Sequence, residues 1–412
     1  MLAAIAGGLA VTALVQAANW PEFRGPTGQG HATAQNLPTE WSDTQNVVWK
    51  QPLPGEGWSS PALVDGRLYL TAAIPVENGK EGDRSLSLLI LDAQSGRLLR
   101  RVDVFQQDGA TAPKIHSKNS HASPTPLVDG DQVFVHFGHQ GTACLNRAGD
   151  IQWTNRDLQY SPVHGNGGSP ILVDERLIFS CDGSREPFVV ALDRRSGKVL
   201  WKTMRQADAD RKFSFSTPLL ITVDGQRQII SPGSNGVVAY DPQDGSEIWH
   251  VTYDGYSVIP RPIYGHGLIY ISTGYNTPSV LAIRPDGRGD VTESHVAWTF
   301  KRGAPHTPSL LLVGDELYMV SDRGVATCLD AKSGEEVWQE RLGGAFSASP
   351  IYADGKIYMQ SEEGVGFVLR PGREFDLVAE NKLGERTLAS YAVDNGRLYI
   401  RSAEHLFCVS GQ

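Results

Sequence analysis

The residues best suited to chemistry in this sequence of 412 residues are histidines and one arginine in its polar loop segments. Imidazoles can transfer protons or bind metals, and a guanidinium can hold a carboxylate through two parallel hydrogen bonds. The candidate residues for a ligand or partner face are His116, His121, His164, Asn166, Arg261 and His306. Whether they act together depends on the elements that position them.

The spacing of these residues argues against a metal site and against a hydrolase active site. The segment that holds His116 and His121 has no helix or strand pattern, so nothing fixes both imidazoles on one metal, and we predict no metal site. The sequence contains neither Gly-x-Ser-x-Gly nor His-Glu-x-x-His, the patterns of two large hydrolase classes. We therefore assign no catalytic residue.

A repeated motif determines the elements around these residues. Residues 191–201 (ALDRRSGKVLW) are followed 48 positions later by residues 239–249 (AYDPQDGSEIW), and residues 328–338 (CLDAKSGEEVW) form a third copy. Looser copies end at Trp153 and Trp298. A period of roughly 40 to 50 residues is typical of propellers and solenoids.

Each unit reads as four antiparallel strands. Apolar residues alternate with polar ones around Asp-Gly pairs such as Asp65-Gly66 and Asp354-Gly355, which is the pattern of tight hairpins. The predicted first strands start near Pro61, Pro126, Pro170, Pro218, Pro262, Pro308, Pro350 and Tyr391. The sequence therefore predicts an all-β fold, an eight-bladed β-propeller of four-stranded antiparallel blades.

The eighth unit lacks its last strand, and the N-terminus supplies a candidate. Residues 47–50 (VVWK) match residues 199–202 (VLWK) but have no unit in front of them. We predict that this N-terminal strand pairs with residues 406–409, completes the last blade and closes the ring, which removes the exposed strand edges.

The cysteines fit this repeat better than they fit disulfides. Cys144, Cys328 and Cys408 fall at the alanine position of the motif, where a small apolar side chain packs between blades, and Cys181 lies on a second strand. We expect all four to be reduced and buried.

The Ala-x-Asp-x-x-Ser/Thr-Gly-x-x-x-Trp unit resembles the tryptophan-docking repeat of pyrroloquinoline-quinone (PQQ)-like propellers. That superfamily includes quinoprotein alcohol dehydrogenases and BamB-like envelope proteins, and residues 20–30 (WPEFRGPTGQG) resemble the start of secreted bacterial members. The resemblance implies either a non-catalytic scaffold or a periplasmic PQQ-dependent oxidoreductase that uses PQQ with calcium. Because the sequence has no adjacent Cys-Cys pair and no recognisable calcium ligand set, we favour the scaffold without a cofactor.

The two faces of such a ring differ. First-to-second and third-to-fourth strand turns are short and form a tight-turn face, whereas second-to-third turns and blade-to-blade links form a loop-rich face, the usual place for binding. The residue before each first-strand proline is Ser60, Thr125, Ser169, Thr217, Thr307 or Ser349, but in the fifth unit it is Arg261. We expect Arg261 either to bind an anion at the channel mouth or to pair with a local carboxylate such as Asp254. At the same mouth we expect five of the candidates to converge, namely His121, His164, Asn166, Arg261 and His306.

Composition bounds the remaining possibilities. The formal net charge of −9 argues against nucleic acid as a partner. We predict a signal peptide at 1–17, an N-terminal extension at 18–45 and the propeller at 46–412, with no transmembrane span in the mature chain. These features predict a monomer in the periplasm or cell envelope that binds a protein partner or an extended envelope ligand.

Overall fold

The computed structural model describes residues 19–206, 210–394 and 396–411, so the predicted signal peptide lies outside the described residues. Eight sheets form the blades, each with four antiparallel strands, and the sheet of blade 4 gains a short fifth strand that pairs in parallel. This confirms the all-β propeller. The described helices are short, namely the 3-10 turn Gly138–Gln140 and α1 (Thr292–His295). No helix in the described ranges is long and apolar enough to cross a membrane.

The strands follow the chain from β1 (Val47–Pro52), which belongs to the last blade. Blade 1 contains β2 (Ala62–Val64), β3 (Arg67–Pro75), β4 (Arg84–Asp92) and β5 (Leu98–Gln107); blade 2 contains β6 (Leu127–Asp129), β7 (Gln132–His136), β8 (Thr142–Asn146) and β9 (Ile151–Asn155). Blade 3 contains β10 (Ile171–Val173), β11 (Arg176–Cys181), β12 (Phe188–Asp193) and β13 (Val199–Met204); blade 4 contains β14 (Leu219–Val223), β15 (Gln226–Gly233), β16 (Gly236–Tyr240) and β17 (Glu247–Thr252). Blade 5 contains β18 (Ile263–Gly265), β19 (Leu268–Ser272), β20 (Val280–Ile283) and, after the short strand β21 (Gly289–Asp290) that extends blade 4, β22 (Val296–Phe300). Blade 6 contains β23 (Leu311–Val313), β24 (Glu316–Val320), β25 (Val325–Asp330) and β26 (Glu336–Arg341); blade 7 contains β27 (Ile351–Ala353), β28 (Lys356–Gln360), β29 (Val365–Arg370) and β30 (Asp376–Lys382). Blade 8 contains β31 (Ala392–Asp394), β32 (Arg397–Arg401) and β33 (His405–Ser410), and β1 completes it.

The ring closes as the sequence predicts. In blade 8 the strand order is β1-β33-β32-β31, and Trp49 lies opposite Cys408 while Lys50 lies opposite Phe407. The first strands begin directly after the predicted prolines, except in blade 6, where β23 begins three residues after Pro308.

The repeated motif joins neighbouring blades. The Trp201 indole of blade 3 donates a hydrogen bond from Nε1 to the Pro242 carbonyl of blade 4, at 3.1 Å. Gly245, at φ +72°, lies flat on that indole, and a Cβ there would come within 2.4 Å of the ring. The same contact recurs between Trp49 and Gly96, Trp153 and Gly197, and Trp298 and Gly334. Tryptophan and glycine in the motif are therefore structural, because together they dock one blade on the next.

The cysteines occupy the predicted core positions. All four are free and buried. Cys144, Cys328 and Cys408 lie across the ladder from Trp153, Trp338 and Trp49, where blade 3 has Ala191 opposite Trp201. Burial raises the pKa of the Cys328 thiol to about 12, which keeps it protonated and unreactive.

Cys328→Ala is expected to be tolerated, because alanine is the usual residue of the motif. The free energy of unfolding, measured in urea, should fall by about 1 kcal/mol through lost side-chain volume. Trp338→Ala serves as the comparison and should cost about 3 kcal/mol, because it removes the cross-strand partner. Mass spectrometry that finds Cys328 in a disulfide would contradict this placement.

The N-terminal extension crosses the channel at the tight-turn face. Trp20 exchanges two backbone hydrogen bonds with Leu63 of β2, in blade 1. The chain then reaches the opposite side of the ring, where the Gln29 side chain accepts a hydrogen bond from the Tyr264 amide of β18 at 2.6 Å, and afterwards pairs with Tyr352 of β27. Because it contacts first strands on opposite sides of the ring, it closes this end of the channel.

Candidate functional site

The other end of the channel opens into a cavity of about 840 Å³ at the loop-rich face. We call this cavity the funnel. Its throat is lined by hydroxyl residues that precede the first strands, and its wall by side chains of blade-to-blade links and of second-to-third strand turns. One further lining residue, Phe23, comes from the N-terminal extension. The volume of the funnel lies within the range of ligand-binding cavities.

The throat hydroxyls form a hydrogen-bonded ring. At seven of the eight junctions between neighbouring blades, a backbone N–H group of one blade donates a hydrogen bond to a Ser or Thr hydroxyl oxygen of the next blade, at 2.9–3.2 Å. The acceptors are Thr125, Ser169, Thr217, Ser309, Ser349, Ser390 and Ser60. The prediction that Thr307 belongs to this ring is wrong, because its hydroxyl donates to Asp322 at 2.6 Å. Ser309 takes the ring position instead, since β23 begins later than predicted.

Arg261 breaks the ring because it anchors the extension. Its Nη1 donates to the Phe23 carbonyl at 2.6 Å, its Nε donates to the Pro218 carbonyl at 3.1 Å, and both Nη atoms lie 3.3 Å from Glu22 Oε1. The residue is only 3% exposed. The hypothesis of an open anion site is therefore wrong for Arg261, and its carboxylate partner is Glu22 rather than Asp254.

Burial sets the electrostatics of this pair. Desolvation raises the pKa of Glu22 and lowers that of Arg261, while their mutual attraction opposes both shifts. The nearby Arg24 is also buried, donates from Nη2 to the Leu310 carbonyl at 2.6 Å, and has a pKa lowered to about 9 by burial. These contacts hold Phe23 beneath the throat.

Three of the four predicted histidines line the funnel, and they belong to a continuous chain of rings. His116, His164 and His306 are lining residues, and His116 lies 5.4 Å from His164 between ring centroids. The rings run in the order His116, His164, Phe213, Tyr256, Tyr275 and His306, with successive centroids 5.4–5.6 Å apart. We call these six residues the aromatic arc. It follows the mouth of the funnel from blade 2 to blade 6.

The other two candidates, Asn166 and His121, are not among the residues that line the funnel. Asn166 is buried, accepts a hydrogen bond from the Tyr160 hydroxyl at 2.7 Å and donates one to the Phe137 carbonyl at 3.3 Å, so it fixes its loop. His121 is half-buried and absent from the lining, and burial lowers its pKa to about 4. The structure therefore brings together His116, His164 and His306 and separates Asn166, His121 and Arg261 from them.

Sequence reasoning missed the aromatic and basic residues of the wall. Phe213 and Tyr256 lie in blade-to-blade links, and Tyr275 lies in the β19–β20 turn of blade 5. Their only signal in the sequence was an excess of large rings in otherwise polar loops. Arg211 and Arg323 also line the funnel, and the Arg211 guanidinium lies 4.7 Å above the Tyr256 ring. An arginine stacked on an aromatic ring keeps its charge available to a ligand.

The profile of the family described as outer membrane protein assembly factor BamB matches residues 31–155, 185–312 and 290–371, which is more than half of the chain. The chain belongs to this family. Within it, BamB of Yersinia pestis is 22% identical over 54% of this chain, and BamB of Salmonella typhimurium is 24% identical over 58%. These alignments span 58% and 61% of the two relatives.

Solved structures share the fold of this BamB-family chain. BamB from Moraxella catarrhalis superposes with a TM-score of 0.63 at 14% identity, covering 89% of this chain and 97% of that one. The computationally designed protein Ika8 superposes with a TM-score of 0.59 at 11% identity, covering 88% of this chain and all of its own. At these identities the likeness concerns the fold alone.

The funnel does not fit the calcium-bound quinone of the quinoprotein branch. Calcium takes six to eight oxygen ligands, several of them carboxylates. Asp322 is the one carboxylate among the lining residues that the structure describes, and its oxygens already accept hydrogen bonds from the amides of His306 and Thr307 and from the Thr307 hydroxyl. Within the described ranges no group of three or more His, Cys, Asp or Glu residues is placed to hold a metal ion.

Proposed function

We propose that this protein is a non-catalytic binding scaffold of the cell envelope that receives an extended protein segment in the funnel. One observation carries the proposal: a cavity of about 840 Å³ is lined by the aromatic arc and a hydroxyl ring on a propeller whose other end is closed. Aromatic side chains give large contact area at small entropic cost, which is why they dominate protein-binding surfaces.

The polar groups of the funnel support binding rather than bond-breaking chemistry. Asp322 holds the link that carries His306, and the throat hydroxyls accept backbone N–H bonds. No lining histidine in the described chain is hydrogen-bonded to a carboxylate through its ring, the arrangement that orients a general base. Membership of a family named for outer membrane assembly supports a protein as the partner, in the periplasm or cell envelope.

The test places a photo-crosslinking amino acid at Tyr275, which is 51% exposed in the arc, in the full chain in its native envelope. Crosslinked adducts containing a second protein are expected. The matched control carries the same amino acid at Leu200, which is 49% exposed on the outer strand β13, and should give few adducts.

A second measurement addresses the oxidoreductase alternative. After incubation with PQQ and Ca²⁺, the protein is expected to give no dye-linked oxidation of alcohols or sugars. Turnover that depends on both PQQ and Ca²⁺, together with equal crosslinking at Tyr275 and Leu200, would show that the protein is an enzyme rather than a scaffold.

A further inference from the structure

We propose that the funnel selects an acidic peptide segment, whose carboxylates pair with Arg211 and Arg323 while its apolar side chains pack on the aromatic arc. This inference rests on the proposed function and names the chemistry of the partner. It comes from the distribution of charge and of apolar surface within the funnel.

The charge of the funnel is opposite to that of the protein. The chain carries a formal net charge of −9, yet the lining residues that the structure describes include three cations, Lys118, Arg211 and Arg323, against the single carboxylate of Asp322. A concave site of one sign attracts and orients ligands of the other sign. An anionic partner is therefore favoured.

Two of these cations are open to a ligand. Lys118 is already paired, since its Nζ lies 2.7 Å from Glu362 Oε1. In the described part of the chain, neither Arg211 nor Arg323 has a carboxylate partner, and both are exposed at the mouth. Arg211 is held by the Tyr256 hydroxyl and by stacking on the Tyr256 ring, so its remaining N–H groups are oriented before a ligand arrives.

The wall favours a peptide over an acidic glycan. The lining of the funnel includes the apolar side chains of Phe213, Phe215, Ile259 and Leu388. These surfaces gain free energy by burying aliphatic or aromatic side chains, which a glycan lacks. The side-chain amide of Asn119, which would suit sugar hydroxyls, already donates to the His164 carbonyl at 2.8 Å.

The throat supplies donors for the end of such a segment. Each ring hydroxyl accepts a neighbouring N–H with one lone pair and keeps its own proton for another acceptor. Ser349 is an exception, because its hydroxyl lies 3.0 Å from the Ser309 oxygen. Peptide carbonyls and carboxylates are the acceptors that this arrangement matches.

The experiment measures fluorescence anisotropy of the full chain with a labelled peptide of alternating Glu and Phe or Leu residues. The acidic peptide is expected to bind at least about tenfold more tightly than the same peptide with Gln in place of Glu, because charged hydrogen bonds are lost. Arg211→Gln and Arg323→Gln should each weaken binding about tenfold. Raising NaCl should weaken the remaining binding.

The matched control is Arg195→Gln, which removes an equally charged and exposed side chain from the β12–β13 turn on the tight-turn face and should leave binding unchanged. Equal binding of the Glu and Gln peptides, or wild-type affinity in both funnel variants, would overturn the proposal. So would binding of an acidic oligogalacturonate in place of the peptide. If crosslinks at Tyr275 persist while the acidic peptide fails, the acidic preference is wrong and the scaffold function stands; if the crosslinks are also absent, the scaffold function itself fails.

Discussion

A chain that lacks residues 1–52 is expected to aggregate and to lose stability, because β33 becomes the edge of blade 8. The newly exposed strand carries Leu406, Phe407 and Val409, all fully buried in the closed ring. An uncharged, apolar edge strand offers unpaired backbone groups to other chains. Loss of the docked Trp49 alone should cost about 3–5 kcal/mol. Size-exclusion chromatography and urea unfolding measure both effects.

The control for this truncation is a chain that lacks residues 1–45. Both truncated chains lose the extension that closes the tight-turn end, but only the longer deletion removes β1. The difference between them therefore isolates the closing strand. A chain without residues 1–52 that remained monomeric, with the melting temperature of the control, would show that β1 does not close the ring.

Arg261→Ala is expected to lower the free energy of unfolding by about 3–5 kcal/mol, since it leaves the largely buried Glu22 carboxylate, whose side chain is 17% exposed, without its counter-ion. The Phe23 carbonyl loses its donor as well. This is the reverse of the ligand-binding role that the sequence suggested, in which the substitution would spare the fold. Urea unfolding of the variant and the wild type measures the loss.

The loss should depend on pH in a defined direction. Burial already raises the pKa of Glu22, and without Arg261 the folded-state pKa rises further above the unfolded value. Stability of the variant is then retained at low pH, where Glu22 is protonated, and is lost as the pH rises through the folded-state pKa. The deficit relative to the wild type should be larger at pH 8 than at pH 5.

An exposed ion pair provides the comparison for Arg261. Arg302 lies 2.6 Å from Glu336 and its side chain is 67% exposed, so Arg302→Ala should cost less than about 1 kcal/mol at either pH. Adding Glu22→Gln to Arg261→Ala should restore part of the stability at pH 8. An Arg261→Ala deficit as small as that of Arg302→Ala, or one that does not change with pH, would show that the pair does not anchor the extension.

The repeat in the sequence was enough to predict the blades, their number and the way they dock. Each hairpin is a local structure with its own turn residues. The Trp201–Gly245 contact recurs between other blades, so the sequence repeats the pattern that specifies this contact several times. The closing strand was predictable for the same reason, because residues 47–50 repeat a pattern whose place in a blade was already known.

The chemistry of the two ends of the channel depends on contacts between residues that are far apart in the sequence. Glu22 meets Arg261 across 239 residues, and no local pattern in the extension indicates that contact. The aromatic arc joins links from blade 2 to blade 6 that share no spacing, and Ser309 replaced Thr307 in the ring through a shift of two positions. Repeats are specified by short-range periodicity, whereas the funnel is assembled from irregular segments whose relative positions exist only once the ring has closed.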